Sequence, residues 1–411
     1  MVGNIDEVFS KIKREIYNEL DMTSEPSEES IFAIIDQKIV DYSMNHRLPL
    51  QVKENLKMRL FNAIRKLDLL QELLDDEQIT EIMINGPDDI FIEKNGQLKR
   101  YEGKFENEMK LEDIAQKIAA MANRIVNESS PIVDTRLADG SRVNIVLPPV
   151  ALNGPTITIR KFYKTPLSIE KLIAYNSITK EAALFLKKAV NARLNIFISG
   201  GTGSGKTTFL NALSNFIPED ERVITIEDSA ELQLQRVDNL VRLESRNANV
   251  EGKNEITIRD LIKSSLRMRP DRIVVGECRG GEALDMLTSM NTGHDGSLST
   301  GHSNSSEDML SRLETMVLMS GIKMPLEAIK QQIGSAIDLI VHLKRMRDKS
   351  RKVVEITEVL RYENGEIKLN PLFEFVEEGE DEHGKIIGHL KRTDREVSCK
   401  EKFQTAGIRL E

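Results

Sequence analysis

A glycine-rich loop in the middle of the chain constrains the fold more than any other feature. Residues 200–207 read Gly-Gly-Thr-Gly-Ser-Gly-Lys-Thr, the Walker A pattern, between a strand-like apolar run, Asn195–Ser199, and a helical pattern over Thr208–Phe216. The glycines let the backbone curl so that several N–H groups face a polyphosphate, and the helix start adds its positive dipole end. The sequence therefore predicts a nucleoside triphosphate site; the alternative is a glycine-rich turn with a surface lysine.

Two side chains of this loop have specific roles in the prediction. Lys206 reaches the β- and γ-phosphate oxygens, and the hydroxyl of Thr207 ligates a magnesium ion. The residues expected to contact the nucleotide are Gly201, Thr202, Gly203, Ser204, Gly205, Lys206, Thr207 and Thr208. ATP and Mg²⁺ are thus the expected ligands.

Composition narrows the class of protein. The 411 residues suffice for two or three domains, and no run of about 18 apolar residues exists that could span a membrane. The two cysteines, Cys278 and Cys399, fit neither a disulfide framework nor a zinc site. A net charge of −9 argues against a dedicated nucleic-acid surface. We expect a cytoplasmic protein without direct membrane insertion.

The N-terminal part of the chain, residues 1–74, reads as a helical appendage. Ile5 to Leu20 has apolar residues on one helical face, and Asp21–Glu29 is an acidic segment with a proline that suits a linker. Helices are expected over Ser30–Tyr42 and Val52–Leu74. An adaptor role is more consistent with this pattern than a catalytic one.

Residues 75–162 are predicted to form a small α+β domain. Short extended runs separated by turn residues such as Asn95-Gly96 indicate hairpins. The expected elements are strands over Glu81–Ile84, Ile90–Ile92, Gln97–Leu98, Arg142–Val146 and Thr156–Arg160, and a helix over Leu111–Ile125. Residues 163–169, with Pro166, are the expected interdomain linker.

Residues 170–360 alternate strands and helices, as in a mostly parallel nucleotide-binding sheet. The expected strands are Ile196–Ser199, Val223–Ile226, Arg272–Val275, Ser297–Thr300, Leu339–Leu343 and Val353–Leu360. The charged C-terminal segment, residues 361–411, gives no pattern that assigns a fold.

Two carboxylates follow predicted strands of this sheet. Glu277 ends an apolar strand about 70 residues after the glycine-rich loop, which is the form of a Walker B element, and is expected to hold magnesium directly or through a water. Glu227 ends another strand and is a candidate to orient the attacking water, with a solvated acidic pair, Glu227-Asp228, as the alternative.

Two histidines, His294 and His302, flank the expected strand Ser297–Thr300. His294 and His302 each have adjacent glycines, and clustered soft ligands that would indicate zinc are missing. They are interpreted either as structural histidines or as donors that sense the γ-phosphate.

Four ordered motifs together resemble the secretion and pilus ATPases of the type II/type IV secretion superfamily. These are the Walker A loop, an aspartate box over Ile224–Leu232, the Walker B strand and a histidine box over Gly293–His302. The resemblance covers about residues 75–360. Finer features, including Ile79–Gly86 and Val133–Asn144, resemble the CpaF branch of tight-adherence pili, and the four-cysteine module usual in the type II branch is missing.

The resemblance implies an α/β protein: a RecA-like P-loop motor domain preceded by a small α+β (PAS-like) domain and a helical segment. It implies a homo-hexameric ring that acts with an inner-membrane platform protein, peripherally at the cytoplasmic membrane. Arg136, Arg142 and Arg160, with Lys161 as a further candidate, match basic residues that reach the nucleotide from the N-terminal domain. Without the resemblance, arginines on strands are more often a solvated face.

The leading functional hypothesis is a Mg-dependent ATPase motor for pilus assembly or protein secretion, with Glu227, Glu277, His294, His302 and the arginines as catalytic residues. A nucleic-acid translocase of related fold is the second hypothesis, and nucleic-acid-stimulated hydrolysis would favour it. A nucleotide switch that does not hydrolyse is the third, and a turnover assay separates it from the first.

Overall fold

The computed structural model describes residues 5–20, 26–94, 96–162, 166–246, 248 and 253–410. The chain divides into two units, Met1–Tyr163 and Lys164–Glu411, and each is described by itself. The finer domain boundaries expected from the sequence remain predictions. Residues 21–25 of the expected acidic linker, Asn95 of the expected hairpin turn and residues 163–165 of the expected interdomain linker lie outside the described residues.

The first unit begins with four helices: α1 (Ile5–Glu19), α2 (Glu28–Asn45), α3 (Leu50–Arg65) and α4 (Leu69–Asp75). Helix α2 starts where the hydroxyl of Ser27 accepts a hydrogen bond from the Ser30 N–H, so the acidic linker ends earlier than expected. The first three helices bury isoleucine and leucine side chains against one another, namely Ile12, Ile16, Ile31, Ile35, Leu56 and Leu60.

The expected single helix over Val52–Leu74 is wrong, because the chain turns between α3 and α4. Asp68 adopts a left-handed φ of 56°, and its N–H bonds to the carbonyl of Asn62. The turn directs Leu67, Leu70 and Leu73 into the core beneath the following sheet. Since no glycine or proline marks the break, tertiary packing decides it.

The rest of the first unit is an antiparallel sheet covered by one helix. The elements are β1 (Ile79–Asn85), β2 (Ile90–Lys94), β3 (Gln97–Tyr101), α5 (Glu108–Met121), β4 (Ile132–Arg136), β5 (Arg142–Val146) and β6 (Thr156–Arg160), and the strand order is β3-β2-β1-β6-β5-β4. The expected strands are confirmed. Strand β4 was not expected, and α5 ends at Met121 rather than Ile125.

The second unit contains a nine-stranded mixed sheet. Its elements are α6 (Ile169–Ala174), α7 (Lys180–Asn191), β7 (Ile196–Gly200), α8 (Lys206–Ser214), β8 (Arg222–Glu227), β9 (Asn239–Glu244), α9 (Ile258–Ser265), β10 (Arg272–Val275), α10 (Glu282–Asn291), β11 (Leu298–His302), α11 (Ser306–Met319), α12 (Leu326–Ala336), β12 (Leu339–Arg345), β13 (Arg351–Glu363), β14 (Glu366–Glu380), β15 (Ile386–Arg392) and α13 (Lys400–Thr405). The strand order is β15-β14-β13-β12-β7-β11-β10-β8-β9.

The six strands from β12 to β9 are parallel, and in the five strands from β12 to β8 most residues on both faces are buried. In β7, Ile196 and Ile198 belong to the hydrophobic core that includes α7 and α8. Phe197 belongs to the hydrophobic core that includes α10, α11 and α12. Burial on both faces explains the continuous apolar runs of these strands. Strands β7, β8, β10 and β11 end at one edge of the sheet, which we call the carboxyl edge.

The charged C-terminal segment folds onto the second unit, although its sequence gave no such expectation. Strands β13 to β15 extend the sheet antiparallel, and Phe403 of α13 is fully buried. The carboxylate of Glu358 accepts hydrogen bonds from the Ser398 and Cys399 N–H groups, and Lys402 Nζ lies 2.7 Å from Asp338 Oδ2. Among the described residues, no helix has the length and apolarity needed to cross a membrane.

Candidate active site

The glycine-rich loop lies at the carboxyl edge, between the end of β7 and the start of α8. Gly205 precedes α8 with a φ of 94°, a left-handed conformation that side chains disfavour, so the loop can turn its N–H groups inward here. Gly201, Thr202, Gly203 and Thr208 are exposed and Thr207 is half-buried, whereas Ser204 is buried. The strand–loop–helix arrangement expected for a phosphate loop is confirmed.

Lys206 is almost fully buried at the start of α8. Its ammonium group donates a 3.0 Å hydrogen bond to the carbonyl of Gly201 and lies 3.2 Å from Nδ1 of His302. A buried ammonium needs such acceptors because desolvation is costly. These contacts hold a positive charge inside the curve of the loop, where an anionic ligand would benefit from it.

Glu277 follows β10 and reaches His302 at the end of β11. Its Oε1 lies 2.8 Å from Nε2 of His302, and this oxygen forms no hydrogen bond with the described residues. Burial lowers the pKa of His302, and the negative charge of Glu277 limits this decrease. The neutral ring can therefore accept from Lys206 at Nδ1, which leaves the ring proton on Nε2, the nitrogen nearest the carboxylate.

Glu227 ends β8 and is buried. Its Oε2 accepts hydrogen bonds of 2.8 and 3.0 Å from the N–H groups of Glu231 and Leu232, while Oε1 has no partner among the described residues. Burial raises the pKa of Glu227 to about 7, and the two N–H bonds limit the rise. A carboxyl group that exchanges a proton near neutral pH is suited to general-base chemistry.

A glycine permits the close approach of β8 and β10 at this edge. In the parallel register Ile226 lies beside Val275, so Glu227 comes next to Gly276. A Cβ at Gly276 would stand only 3.0 Å from Cγ of Glu227. The ends of the two strands therefore bring the two predicted acids, Glu227 and Glu277, to the same edge.

The two predicted histidines are at opposite ends of β11. His302 is at the carboxyl edge, paired in register with Gly200. His294 precedes the strand, and its Nδ1 lies 3.3 Å from the carbonyl oxygen of Ser289. A strand of this length spans roughly 13 Å. The structure thus brings His302, but not His294, to the phosphate loop of the same chain.

The three predicted arginines form a row in the sheet of the first unit. Arg142 on β5 is paired in register with Arg136 on β4 and with Arg160 on β6. Directly opposed residues of neighbouring strands point to the same face. The row ends at Glu81, which is paired with Arg160.

Three residues near the phosphate loop were not predicted. Arg279 contacts Glu277, Arg351 donates a 2.9 Å hydrogen bond from Nε to the carbonyl of Gly203, and His342 lies with Nδ1 2.8 Å from Oγ of Ser199. Burial lowers the pKa of His342. The only sequence signal is for Arg279, which is two residues after the Walker B acid; the others are brought near by β12 and β13.

The parallel sheet, the phosphate loop and the acids at the carboxyl edge define the class: a P-loop nucleoside triphosphatase. The sequence profile of the family described as "Type II/IV secretion system protein" matches residues 63–405, and the chain belongs to that family. It is an ATPase of the VirB11-like class of secretion ATPases.

Known proteins of this class are similar over most of the chain. The conjugal transfer protein TrbB of Rhizobium radiobacter is 34% identical over 301 residues, covering 72% of this chain and 88% of TrbB. The type IV secretion system protein VirB11 of Brucella suis is 34% identical over 308 residues, which cover 67% of this chain and 84% of VirB11. The X-ray structure of the ATPase DotB of Legionella pneumophila shares the fold, with a TM-score of 0.51 and 20% identity. The match covers 72% of this chain and 80% of the DotB chain.

Proposed function

We propose that the protein is the ATP-driven motor of a pilus or type IV secretion machine, working as a homo-hexamer against an inner-membrane platform protein. The observation that carries the proposal is the contact series Lys206–His302–Glu277 at the carboxyl edge. It joins the phosphate loop to the Walker B acid. A change at the phosphates can therefore reach two further strands of the sheet.

The phosphate site has the groups that an ATP polyphosphate requires. The loop leads into the positive end of α8, and Lys206 adds a buried charge. Ser204 Oγ has no hydrogen-bond partner among the described residues, and Glu277 Oε1 has only the contact with His302, so both oxygens suit a polar ligand at the same edge. We assign Gly201 to Thr208 as the nucleotide-binding segment.

Thr207 and Glu277 are the residues that would hold Mg²⁺. The described residues contain no cluster of three or more histidine, cysteine or acidic side chains suited to a metal ion. The two oxygen donors of Thr207 and Glu277 fit magnesium, because this ion takes few protein ligands and completes its coordination shell with phosphate oxygens and waters. When bound, Mg²⁺ neutralises charge on the β- and γ-phosphates.

Glu227 is proposed to orient and deprotonate the attacking water. Its buried, unpartnered Oε1 and its pKa of about 7 allow it to accept a proton at neutral pH. Lys206 stays with the phosphate oxygens as charge moves to the leaving group, and His302 keeps Lys206 and Glu277 in fixed positions.

The arginine row of the first unit is proposed to complete the nucleotide site across a domain or subunit boundary. Like charges aligned directly across neighbouring strands are destabilising, so Arg136, Arg142 and Arg160 suit a function that needs concentrated positive charge. Planar guanidinium groups bind phosphate in two-pronged fashion. A repeated head-to-tail contact of this kind closes into a ring.

Finer assignments rest on the sequence resemblance. We place the protein in the CpaF-like branch because of the motifs over Ile79–Gly86 and Val133–Asn144, and we interpret the α+β domain as PAS-like. Relatives named for conjugal transfer and type IV secretion support a role at a membrane-bound export machine. His294 remains a candidate for a role in hydrolysis at a site shared between subunits.

Mixing two inactive variants tests the ring. Lys206→Ala subunits have an intact arginine row, and Arg142→Ala subunits have an intact phosphate loop. If Arg142 acts between subunits, the mixture should regain activity that neither variant has alone, and the active species should elute as a hexamer with ATP. A monomer with full activity, or stimulation by nucleic acid in place of ring formation, would contradict the proposal.

A further inference from the structure

Arg279 places its guanidinium group against two carboxylates at the carboxyl edge. Nε and Nη2 lie 2.9 and 2.7 Å from Oε2 of Glu277, and Nη1 lies 3.4 Å from Oδ2 of Asp228. The other oxygen of Asp228 accepts a 2.7 Å hydrogen bond from the hydroxyl of Ser245. The guanidinium therefore links the residues that follow β10 and β8.

Glu277 is consequently held from both sides. Oε2 faces Arg279, and Oε1 lies 2.8 Å from Nε2 of His302. A divalent cation that binds Glu277 would stand close to a guanidinium that cannot lose its charge. Like charges at such a distance repel strongly in a partly buried site, since side chain Glu277 is only 18% exposed. Arg279 and a cation therefore compete for one carboxylate.

The backbone of Arg279 is held by hydrogen bonds, while its side chain is more exposed than buried. The N–H of Cys278 bonds to the carbonyl of Thr300 at 2.9 Å, and the N–H of Arg279 bonds to Oε1 of Glu282 at 2.6 Å. The Arg279 side chain is 58% exposed. Exposure leaves room for the guanidinium to part from Glu277 while these backbone hydrogen bonds stay in place.

We propose that Arg279 is the resting counterion of Glu277 and yields this carboxylate when a divalent cation enters with the nucleotide. The role rests on the nucleotide site proposed above. Arg279 weakens cation binding, and the return of its guanidinium to Glu277 favours release of the cation with the product. Arg279 is thus a positioning residue that sets cation affinity through Glu277.

The test measures cation affinity directly. Mn²⁺ is titrated into protein with ADP and followed by electron paramagnetic resonance, for the wild type, Arg279→Gln and the control Arg361→Gln. Arg361 is an exposed arginine far along β13 from the carboxyl edge, so its substitution removes the same charge elsewhere. We expect Arg279→Gln to bind Mn²⁺ about five- to tenfold more tightly, and Arg361→Gln to match the wild type.

A double-mutant cycle separates this effect from a general loss of positive charge. In a Glu277→Gln background, the guanidinium and the cation no longer compete for a carboxylate. Arg279→Gln should therefore change Mn²⁺ affinity less than twofold there, which is on the order of the error expected when independent mutational effects are added. Arg279→Lys, which keeps the charge but loses the planar two-pronged contact, guards against misfolding and should lie between wild type and Arg279→Gln.

The outcomes separate a failure of the proposed role of Arg279 from a failure of the proposed nucleotide site. Equal Mn²⁺ affinity of wild type and Arg279→Gln, with both folded by circular dichroism, would overturn the role of Arg279 alone. Weaker binding in Arg279→Gln would do the same, because it would make Arg279 an aid to cation binding. Failure of both the wild type and Arg279→Gln to retain Mn²⁺ with ADP would overturn the nucleotide site as well.

Discussion

Lys206 and Glu277 lie on opposite sides of one imidazole ring. Lys206 Nζ is 3.2 Å from Nδ1 of His302, and Glu277 Oε1 is 2.8 Å from Nε2. An ammonium group can only donate, so Nδ1 is the acceptor and the ring proton is on Nε2. The phosphate loop and the Walker B acid are therefore positioned by the same side chain, which is the main structural support for the proposed motor.

Replacing His302 should uncouple these two groups. We expect His302→Ala to retain nucleotide and to lower kcat about a hundredfold, because preorganised charge at the reacting phosphate is lost. Steady-state phosphate release and binding of a fluorescent nucleotide measure the two effects. His383→Ala, in the exposed turn between β14 and β15, is the matched control and should behave as wild type. Equal turnover in both variants would contradict the role of His302.

His294 gives a contrasting prediction, because it lies at the other end of β11. If its role is to pack, His294→Ala should lower the melting temperature while the folded fraction hydrolyses ATP at the wild-type rate. Thermal melts with turnover per folded molecule measure both. Normal stability with lost hydrolysis would instead support a catalytic role at a site between subunits.

Glu227 should make stability depend on pH. Its pKa rises from about 4.5 to about 7 on folding, so the folded state favours the protonated form. The unfolded chain ionises first as pH rises, and the protein therefore loses stability between pH 4.5 and 7, by about 3 kcal/mol. Chemical unfolding of wild type and Glu227→Gln measures this, since the amide does not titrate. A constant difference between the two across this range would contradict the raised pKa.

The same carboxyl group should govern the pH profile of hydrolysis. A general base must be ionised, so kcat should rise through a pKa near 7 as the pH increases. Glu227→Gln should bind ATP, hydrolyse it at least about a hundredfold more slowly and lose this limb of the profile. A Glu227→Gln enzyme with the wild-type profile would assign the titration to another group.

Arg351 should act on nucleotide binding and not on the chemical step. Its hydrogen bond to Gly203 steadies the outside of the phosphate loop, so Arg351→Ala should raise the KM for ATP about fivefold, in line with the loss of one charged hydrogen bond, and leave kcat within twofold. Arg361→Ala, at the far end of the same strand, serves as the control. A fall in kcat at unchanged KM would place Arg351 in the reaction itself.

Sequence reasoning found the central part of the fold because that part has local signals. The buried parallel strands around β7 are continuous apolar runs, and the phosphate loop has a fixed residue pattern at a fixed position between strand and helix. The strand ends then place Glu227, Glu277 and His302 at one edge without further information.

Other elements lack such signals. Strand β14 buries only three of its 15 residues, and one of them is the polar Asn370, which is held by the carboxylate of Glu358. The turn at Asp68 interrupts a helical pattern with no proline or glycine. Arg279 reaches Asp228, and Arg351 reaches Gly203, only through folding, since these partners are distant in sequence.

Magnesium-dependent ATP hydrolysis by the purified protein, compared between wild type and Lys206→Ala, tests the central claim most directly. Lys206 provides the buried charge for the phosphates, and its loss should lower turnover by a factor of about a hundred or more, corresponding to about 3 kcal/mol. Lys187→Ala, on the surface of α7, controls for loss of a lysine and should retain full activity. The account predicts turnover in wild type and Lys187→Ala that needs Mg²⁺ and is lost in Lys206→Ala. Turnover of Lys206→Ala at the wild-type rate would contradict it.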